Sequence, residues 1–270
     1  MEAEHNVQIP AGKKIYFASD FHLGIPDYQS SLHRELKLVR WLDQIKHDAL
    51  EVFLMGDVFD FWFEYKTAVP KGYARLFGKL AELTDSGIIV HLFKGNHDIW
   101  AFDYLKQELN IQLHRDPVIR SFSGQKFFLS HGDGVGPGDF GYKLLKGLFE
   151  LKFNQWLFRW IHPDIGTRMG LYFSQKSRIA NVARNNKLEK PEPIEEFFTY
   201  RFSKDMVEKG HDINYFIFGH NHKMVHQQIA DNRFYLVLGD WISMFSYAEF
   251  DGQKMQLLQF EKDNLKNALK

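Results

Sequence analysis

Val52-Phe53-Leu54-Met55-Gly56-Asp57 is a short, unbroken apolar run that ends in a glycine and passes at once to a carboxylate. Its length and its β-branched and aromatic members suit a strand buried on both faces, and the glycine lets the chain turn sharply at the sheet edge. The same order recurs four more times. Ile15-Tyr16-Phe17-Ala18-Ser19 leads into Asp20-Phe21-His22, and Val90-His91-Leu92-Phe93-Lys94 into Gly95-Asn96-His97-Asp98. Phe127-Phe128-Leu129-Ser130 leads into His131-Gly132-Asp133, and Tyr215-Phe216-Ile217-Phe218 into Gly219-His220-Asn221-His222. Packing accounts for one such ending. Five in one chain point to side chains gathered for chemistry.

Helical patterns lie between the early runs. From Ser30 to Asp48, Leu32, Leu36, Val39, Leu42 and Ile45 recur every three or four residues, and a second helix is predicted from Tyr73 to Ser86, closed by Gly87. Strand and helix in alternation predict an α/β fold with largely parallel pairing. After Gln112 short strands follow, over 118–122 and 126–130 with Ser123-Gly124 as the turn. Residues 139–190 read as helical and 194–209 as one further helix, with Pro191-Glu192-Pro193 between them. Strands over 214–218, 224–229, 234–238, 243–250 and 255–260 complete the chain, with turns at Asp231-Asn232 and Asp251-Gly252. Residues 1–13 are polar and predict a loose lead-in.

Composition narrows the function. The 270 residues allow a substantial core; 34 basic and 34 acidic side chains cancel, so no global basic field argues for nucleic acid. Cysteine is absent, which removes disulfides and zinc-thiolate sites. No apolar run approaches the roughly 18–20 residues that span a bilayer, and Met1-Glu2-Ala3-Glu4-His5 has no export-signal core. The expected location is therefore the cytoplasm. The 26 phenylalanines demand a place in the fold.

Asp20, His22, Asp57, Asn96, His131, His220 and His222 supply carboxylate, amide and imidazole donors at the strand ends. Within Asp20/His22 and His220/His222 the spacing of two puts both side chains on one face of an extended segment, where each pair can converge. Open α/β sheets bind ligands at the carboxyl ends of their strands. Seven donors exceed the needs of one small ion and suit two ions about 3.5–4 Å apart sharing a carboxylate. Oxygen and nitrogen donors without thiolate fit Mn, Fe, Zn or Mg, with Mn or Fe the most natural. His5, His33, His47, His91, His114, His162, His211 and His226 read as ordinary polar side chains.

As a set, Asp20-Phe21-His22, Gly56-Asp57, Gly95-Asn96-His97-Asp98, Ser130-His131-Gly132-Asp133 and Gly219-His220-Asn221-His222 resemble the motifs of the calcineurin-like metallophosphoesterases, in that family's order. The resemblance implies a four-layer αββα sandwich. It implies one metal held by Asp20, His22, Asp57 and His222, and a second by Asp57, Asn96, His131 and His220. His97 would donate a hydrogen bond or proton to a phosphate or leaving-group oxygen, with Asp98 fixing its tautomer and Asp133 supporting the ligands.

Residues 139–187 carry aromatic and aliphatic side chains around nearly the whole helical circumference, among them Leu144, Phe149, Phe153, Trp156, Phe158 and Trp160. Either two helices pack on each other, or a lid presents one apolar face to the body and another to acyl chains or a bilayer. Basic residues outnumber acidic ones in this stretch, in keeping with phosphate or anionic headgroups. A core of 1–138 and 191–270 with a helical insertion at 139–190 is thus expected. Asp139-Phe140-Gly141-Tyr142, Ser177-Arg178-Ile179-Ala180-Asn181 with Arg184, and Gly56-Asp57-Val58-Phe59-Asp60-Phe61-Trp62 resemble elements of one branch, the UDP-2,3-diacylglucosamine diphosphatases of lipid A synthesis. That likeness implies a pyrophosphate cleaved by water to UMP and 2,3-diacylglucosamine 1-phosphate. Asp139, Ser177, Asn181 and Arg184, with Asn96, His97 and His220, would contact the substrate, and the lid would touch the inner face of the membrane. No protein partner is expected. The best-known members carry Arg at the position of His97, a permanent bidentate clamp in place of a titrating ring. Another nucleotide, phosphodiester or phosphomonoester substrate therefore stays open as the alternative.

Overall fold

Alternate side chains of the central runs enter different cores, which is why each run is apolar throughout. The chain is seen here in a computed structural model that describes residues 6–136, 140–185 and 193–261. Its first half comprises β1 (Asn6–Val7), β2 (Lys14–Ala18), α1 (Tyr28–Ile45), β3 (Ala49–Leu54), α2 (Ala74–Asp85), β4 (Ile89–Phe93), α3 (Tyr104–Leu109), β5 (Gln112–His114), β6 (Val118–Phe122) and β7 (Gln125–Leu129). There follow α4 (Phe140–Glu150), α5 (Lys152–Arg159), α6 (Pro163–Asn185), a 3-10 turn (Ile194–Glu196) and α7 (Phe198–Glu208). The last strands are β8 (Tyr215–Phe218), β9 (Met224–Ala230), β10 (Arg233–Leu238), β11 (Ser246–Phe250) and β12 (Met255–Gln259).

Two six-stranded sheets form, in the orders β12-β11-β2-β3-β4-β5 and β1-β6-β7-β8-β10-β9. From β2 to β5 all pairing is parallel. Tyr16, Ala18, Val52 and Leu54 face outward onto Leu38, Trp41 and Leu42 of α1 and Leu76, Leu80 and Leu83 of α2. Their neighbours Ile15, Phe17 and Phe53 face inward and meet Phe122, Phe127, Leu129 and Ile217 of the other sheet. Beyond that sheet, Phe216, Phe218 and Tyr235 pack on Phe202, Met206 and Val207 of α7. The layers run helix, sheet, sheet, helix, as expected. Many of the phenylalanines fill the seam between sheets, where Phe17 stacks on Phe53 at 5.1 Å and on Phe127 at 6.1 Å.

The structure corrects several expectations. Asn6–Val7 is no loose lead-in, since it pairs in parallel with Ser121–Phe122 at the sheet edge. α3 and β5 were not foreseen; both are too short to show a period. The strand expected from Ser243 begins only at Ser246, because the Asp240 carboxylate accepts from the amides of Ile242, Ser243 and Met244 and curls that stretch into a turn.

His91 is a satisfied polar group, as expected, and is no metal-ligand candidate among the described residues. It is fully buried, with Nε2 2.9 Å from Glu51 and Nδ1 2.9 Å from His114, while Arg120 of the facing sheet reaches both Glu51 oxygens at 3.1 and 3.2 Å. Burial, then the neighbouring His91 and Arg120, push the His114 pKa down to about 4. The folded chain thus keeps His114 neutral where the unfolded chain, with its ordinary value near 6.5, takes up a proton. Stability from this source is complete above the unfolded value and lost as pH falls toward the folded one. A His114→Asn variant is expected to show a shallower fall in Tm from pH 6.5 to pH 4 than wild type; identical slopes in calorimetry would contradict this.

At the end of β4 the backbone closes in on β3. A Cβ on Gly95 would lie 2.1 Å from Asp57 Oδ1 and 2.6 Å from Asp57 N, whereas one on Gly78, in α2, would meet nothing within 4 Å. Gly95→Ala is expected to displace Asp57 and abolish activity. Gly78→Ala is expected to raise stability by about 0.5–1 kcal/mol with activity kept, as thermal melts and turnover assays would register.

Candidate metal centre

Asp20 and His22 follow β2, Asp57 follows β3, Asn96 follows β4, His131 follows β7, and His220 and His222 follow β8. The loops are laced by backbone bonds: Asp20 N donates to Gly56 O at 3.1 Å, His22 N to Asp57 O at 2.9 Å, and Gly219 N to His131 O at 2.9 Å. Five of the seven residues hold left-handed backbones, with φ of 60° at Asp20, 45° at His22, 52° at Asp57, 67° at His220 and 48° at His222. Such conformations cost non-glycine residues about 1–3 kcal/mol each and persist where the surroundings enforce them. Asp20 and His22 therefore converge through kinks. Extended alternation, the expected device, is not used.

Among the described residues three donor groups result; in one of them, His22, Asp60 and His97, the His22 Nδ1 and Asp60 Oδ1 already pair at 3.0 Å. In the other two, Asp20, His22 and His222 bring ligand atoms within 4.8 Å of one another, and so do Asp57, His131 and His220. His220 and His222 thus fall in different groups, the division that the family resemblance implies and not the shared point that spacing alone suggests. Asp57 Oδ2 stands 3.4 Å from His131 Nε2 and 3.7 Å from His22 Nε2, between the two groups. His22 Nε2 faces His222 Nε2 at 3.3 Å. The remaining ring nitrogens are tied back: His131 Nδ1 to Met55 O at 2.8 Å and His22 Nδ1 to Asp60 Oδ1 at 3.0 Å, so Nε2 of each aims at the centre. The buried atoms Asp20 Oδ1, Asn96 Oδ1 and His131 Nε2 have no hydrogen-bond partner. Buried polar atoms are rarely left so. Lone-pair donors of oxygen and imidazole, orphaned and converging, fit divalent cations.

The charges balance internally. Burial disfavours the His22 imidazolium, but Asp20, Asp60 and Asp57 outweigh it and push its pKa up to about 9. Against burial, Asp57 and Asp20 likewise hold His131 well above the usual range. Asp20 and Asp57 stay well below the usual carboxylate range despite burial, because histidines surround them. Burial, and next the Asp57 charge, raise the Asp98 carboxyl to about 6. Metal ions would take over the compensating role of those protons.

Asp98 does not touch the His97 ring. Its oxygens accept from Gly95 N at 2.7 Å and Val58 N at 2.8 Å, bracing both loops. His97 Nδ1 instead lies 2.9 Å from the carbonyl of Asp60 and 3.1 Å from Ser174 Oγ. Its amide donates to Asp57 Oδ1 at 2.9 Å. Asp133 is buried and binds Lys146 at 2.7 Å. A cavity of about 480 Å³ opens beside His131 and is lined by Lys94, Arg115, Lys143 and Lys146.

Sequence reasoning missed Asp60 and Asp240. The Asp60 side chain is wholly buried and holds His22 and Arg178; Asp240 stands 3.5 Å from His222 Nδ1. Both had signals. A lone carboxylate inside Val58-Phe59-Asp60-Phe61-Trp62-Phe63 must find buried partners, and Leu238-Gly239-Asp240 repeats the strand-glycine-aspartate order of Asp57. Ser177 is exposed. Asp139 and the side chains of Asn181 and Arg184 lie outside the described residues.

The sequence profile of the calcineurin-like phosphoesterases matches residues 13–224. A UDP-2,3-diacylglucosamine hydrolase of Porphyromonas gingivalis is 36% identical over 256 residues, which is 92% of this chain and 98% of the relative. Proteins of the same name from Aeromonas salmonicida and Histophilus somni are 26% and 25% identical, over 85% and 91% of this chain and 87% and 100% of their own. The family is one of hydrolases that use divalent metal ions, and the paired donor groups around Asp57 are in keeping with it. The chain belongs to the calcineurin-like phosphoesterases.

Proposed function

We propose that the protein hydrolyses the pyrophosphate of UDP-2,3-diacylglucosamine, giving UMP and 2,3-diacylglucosamine 1-phosphate, at a pair of Mn2+ ions. The observation that carries the reading is the apolar helical insertion beside the paired donor groups. Leu144, Phe153, Trp156, Trp160, Tyr172 and Phe173 are all more than half exposed, with Trp160 at 76%. Phe158 and Leu171 instead pack on Phe61, Phe63 and Trp100 of the body. One face is seated and the other is open, which suits acyl chains or the surface of an anionic bilayer. Among the described residues no helix is long and apolar enough to cross a membrane. The full-length relatives that carry this substrate in their name add support.

Asp20, His22, Asp57 and His222 would hold one ion, and Asp57, Asn96, His131 and His220 the other. When bound, the ions lower the pKa of the attacking water and offset charge on the phosphate oxygens. Water adds to phosphorus, the bridging P–O bond breaks, and the leaving phosphate oxygen takes up a proton. With Nδ1 engaged by the Asp60 carbonyl, His97 offers Nε2 to the substrate, and as imidazolium it donates there. Asp98 keeps the Asn96-His97 loop and the Asp57 loop in register. The cavity beside His131 sets Lys94, Arg115, Lys143 and Lys146 against Asp116, Asp133 and Glu150, and its basic groups are assigned to the nucleotide phosphate. Asp139, Ser177, Asn181 and Arg184 are assigned to the sugar phosphate and uridine. His97 in place of Arg favours a second reading, a related phosphoesterase with another nucleotide or phosphoester substrate.

Incubation of the purified protein with UDP-2,3-diacylglucosamine and Mn2+ should yield UMP, and EDTA should stop the reaction until Mn2+ is restored in excess. UDP or orthophosphate as the product would exclude the first reading. Replacing the exposed Leu144, Trp156 and Trp160 by serine should raise KM for the diacylated substrate by about tenfold or more, with Mn2+ affinity kept. An unchanged KM would show that the insertion does not touch the acyl chains.

A further inference from the structure

Asp60 binds the metal centre to the insertion. Its carboxylate is fully buried and has hydrogen-bond partners on two separate segments. His22 Nδ1 lies 3.0 Å from Oδ1, Arg178 Nη2 of α6 lies 2.5 Å from the same oxygen, and Ser174 Oγ of α6 donates to Oδ2. Its carbonyl accepts from His97, and its amide donates to Leu23 O at 2.9 Å. Asp60 stands behind His22, on the nitrogen turned away from Asp20, Asp57 and His222, so it orients the ring and does not join the donor group. Along the same helix, Gly170 comes so near the body that a Cβ there would lie 2.2 Å from the Phe61 ring. α6 is therefore seated by close contacts at Gly166, Gly170 and Leu171 and by one shared carboxylate.

We propose that Asp60 is a positioning residue through which seating of α6 and occupancy of the His22 metal position reinforce each other. The inference rests on the dinuclear reading above and is independent of the substrate. A cation on Nε2 makes Nδ1–H a stronger donor and draws the carboxylate into line. Arg178 and Ser174 restrain the same carboxylate from the helix side, sparing the buried charge the cost of lacking partners. Because both equilibria act on one group, the coupling is reciprocal: ions steady the helix, and the helix steadies the ions.

The test uses full-length wild type, Asp60→Asn, Arg178→Met and Ser174→Ala. Metal-free protein is titrated with Mn2+ while the EPR signal of the free ion is followed, and amide hydrogen exchange over residues 163–178 is measured with and without Mn2+. Wild type should bind two ions and show slower exchange in this segment when loaded. Asp60→Asn should weaken one of the two ions by about 10- to 100-fold and erase the effect of Mn2+ on α6 exchange. Arg178→Met and Ser174→Ala, which leave the carboxylate in place, should weaken the same ion by a smaller factor; they carry the comparison even where Asp60→Asn fails to fold. A wild type that binds two ions with no change in α6 exchange overturns the coupling. So do variants that bind both ions as wild type does. A wild type that binds no Mn2+ overturns the dinuclear reading itself, and the coupling with it.

Discussion

Three carboxylates, Asp20, Asp57 and Asp60, are buried within one pocket, and their mutual repulsion is the condition the surrounding structure answers. Each buried anion needs a cation or several donors, since a lone one would cost several kcal/mol. Histidines, backbone amides and Arg178 meet the need in the protein itself. The donors left over, oxygen and imidazole lone pairs without partners, are those a divalent ion takes. Much of the local irregularity follows from that demand. Left-handed backbones at Asp20, His22, Asp57, His220 and His222 take these donors out of regular strand geometry and aim them at the centre.

The scaffold and the insertion divide the labour. The sandwich fixes the donors with parallel strands buried on both faces, and the phenylalanine seam holds its sheets at one spacing. α4, α5 and α6 add an apolar surface next to a polar centre, a combination suited to a substrate with a charged linkage and hydrocarbon tails. Family membership alone would not supply that pairing, because one fold serves many phosphoesters.

Much of this was legible in the sequence, and the gaps have physical reasons. The strand-end grammar at Asp20, Asp57, Asn96, His131 and His220 marks the candidate site because each donor follows an apolar run that reads as a strand. The division of His220 from His222 came only through the family resemblance, since spacing by itself predicts a shared face and cannot reveal a left-handed kink. Asp98 was given a neighbour's task because adjacency in sequence suggests contact; its side chain turns to the amides of Gly95 and Val58. Asp60 escaped because its aromatic setting signals burial but does not name the partners, which come from Arg178 and Ser174 far along the chain. Short elements such as α3, β5 and the Asn6–Val7 strand carry too few residues for any period to appear.

The candidate ligands are drawn from both halves of the sandwich. Asp20, Asp57 and Asn96 leave one sheet, and His131, His220 and His222 leave the other. Neither half can assemble the cradle without its mate, so ion capture adds directly to the free energy that keeps the two slabs face to face. Scarcity of metal would accordingly reach this protein twice: as lost chemistry, and as a weaker clasp across its aromatic midline.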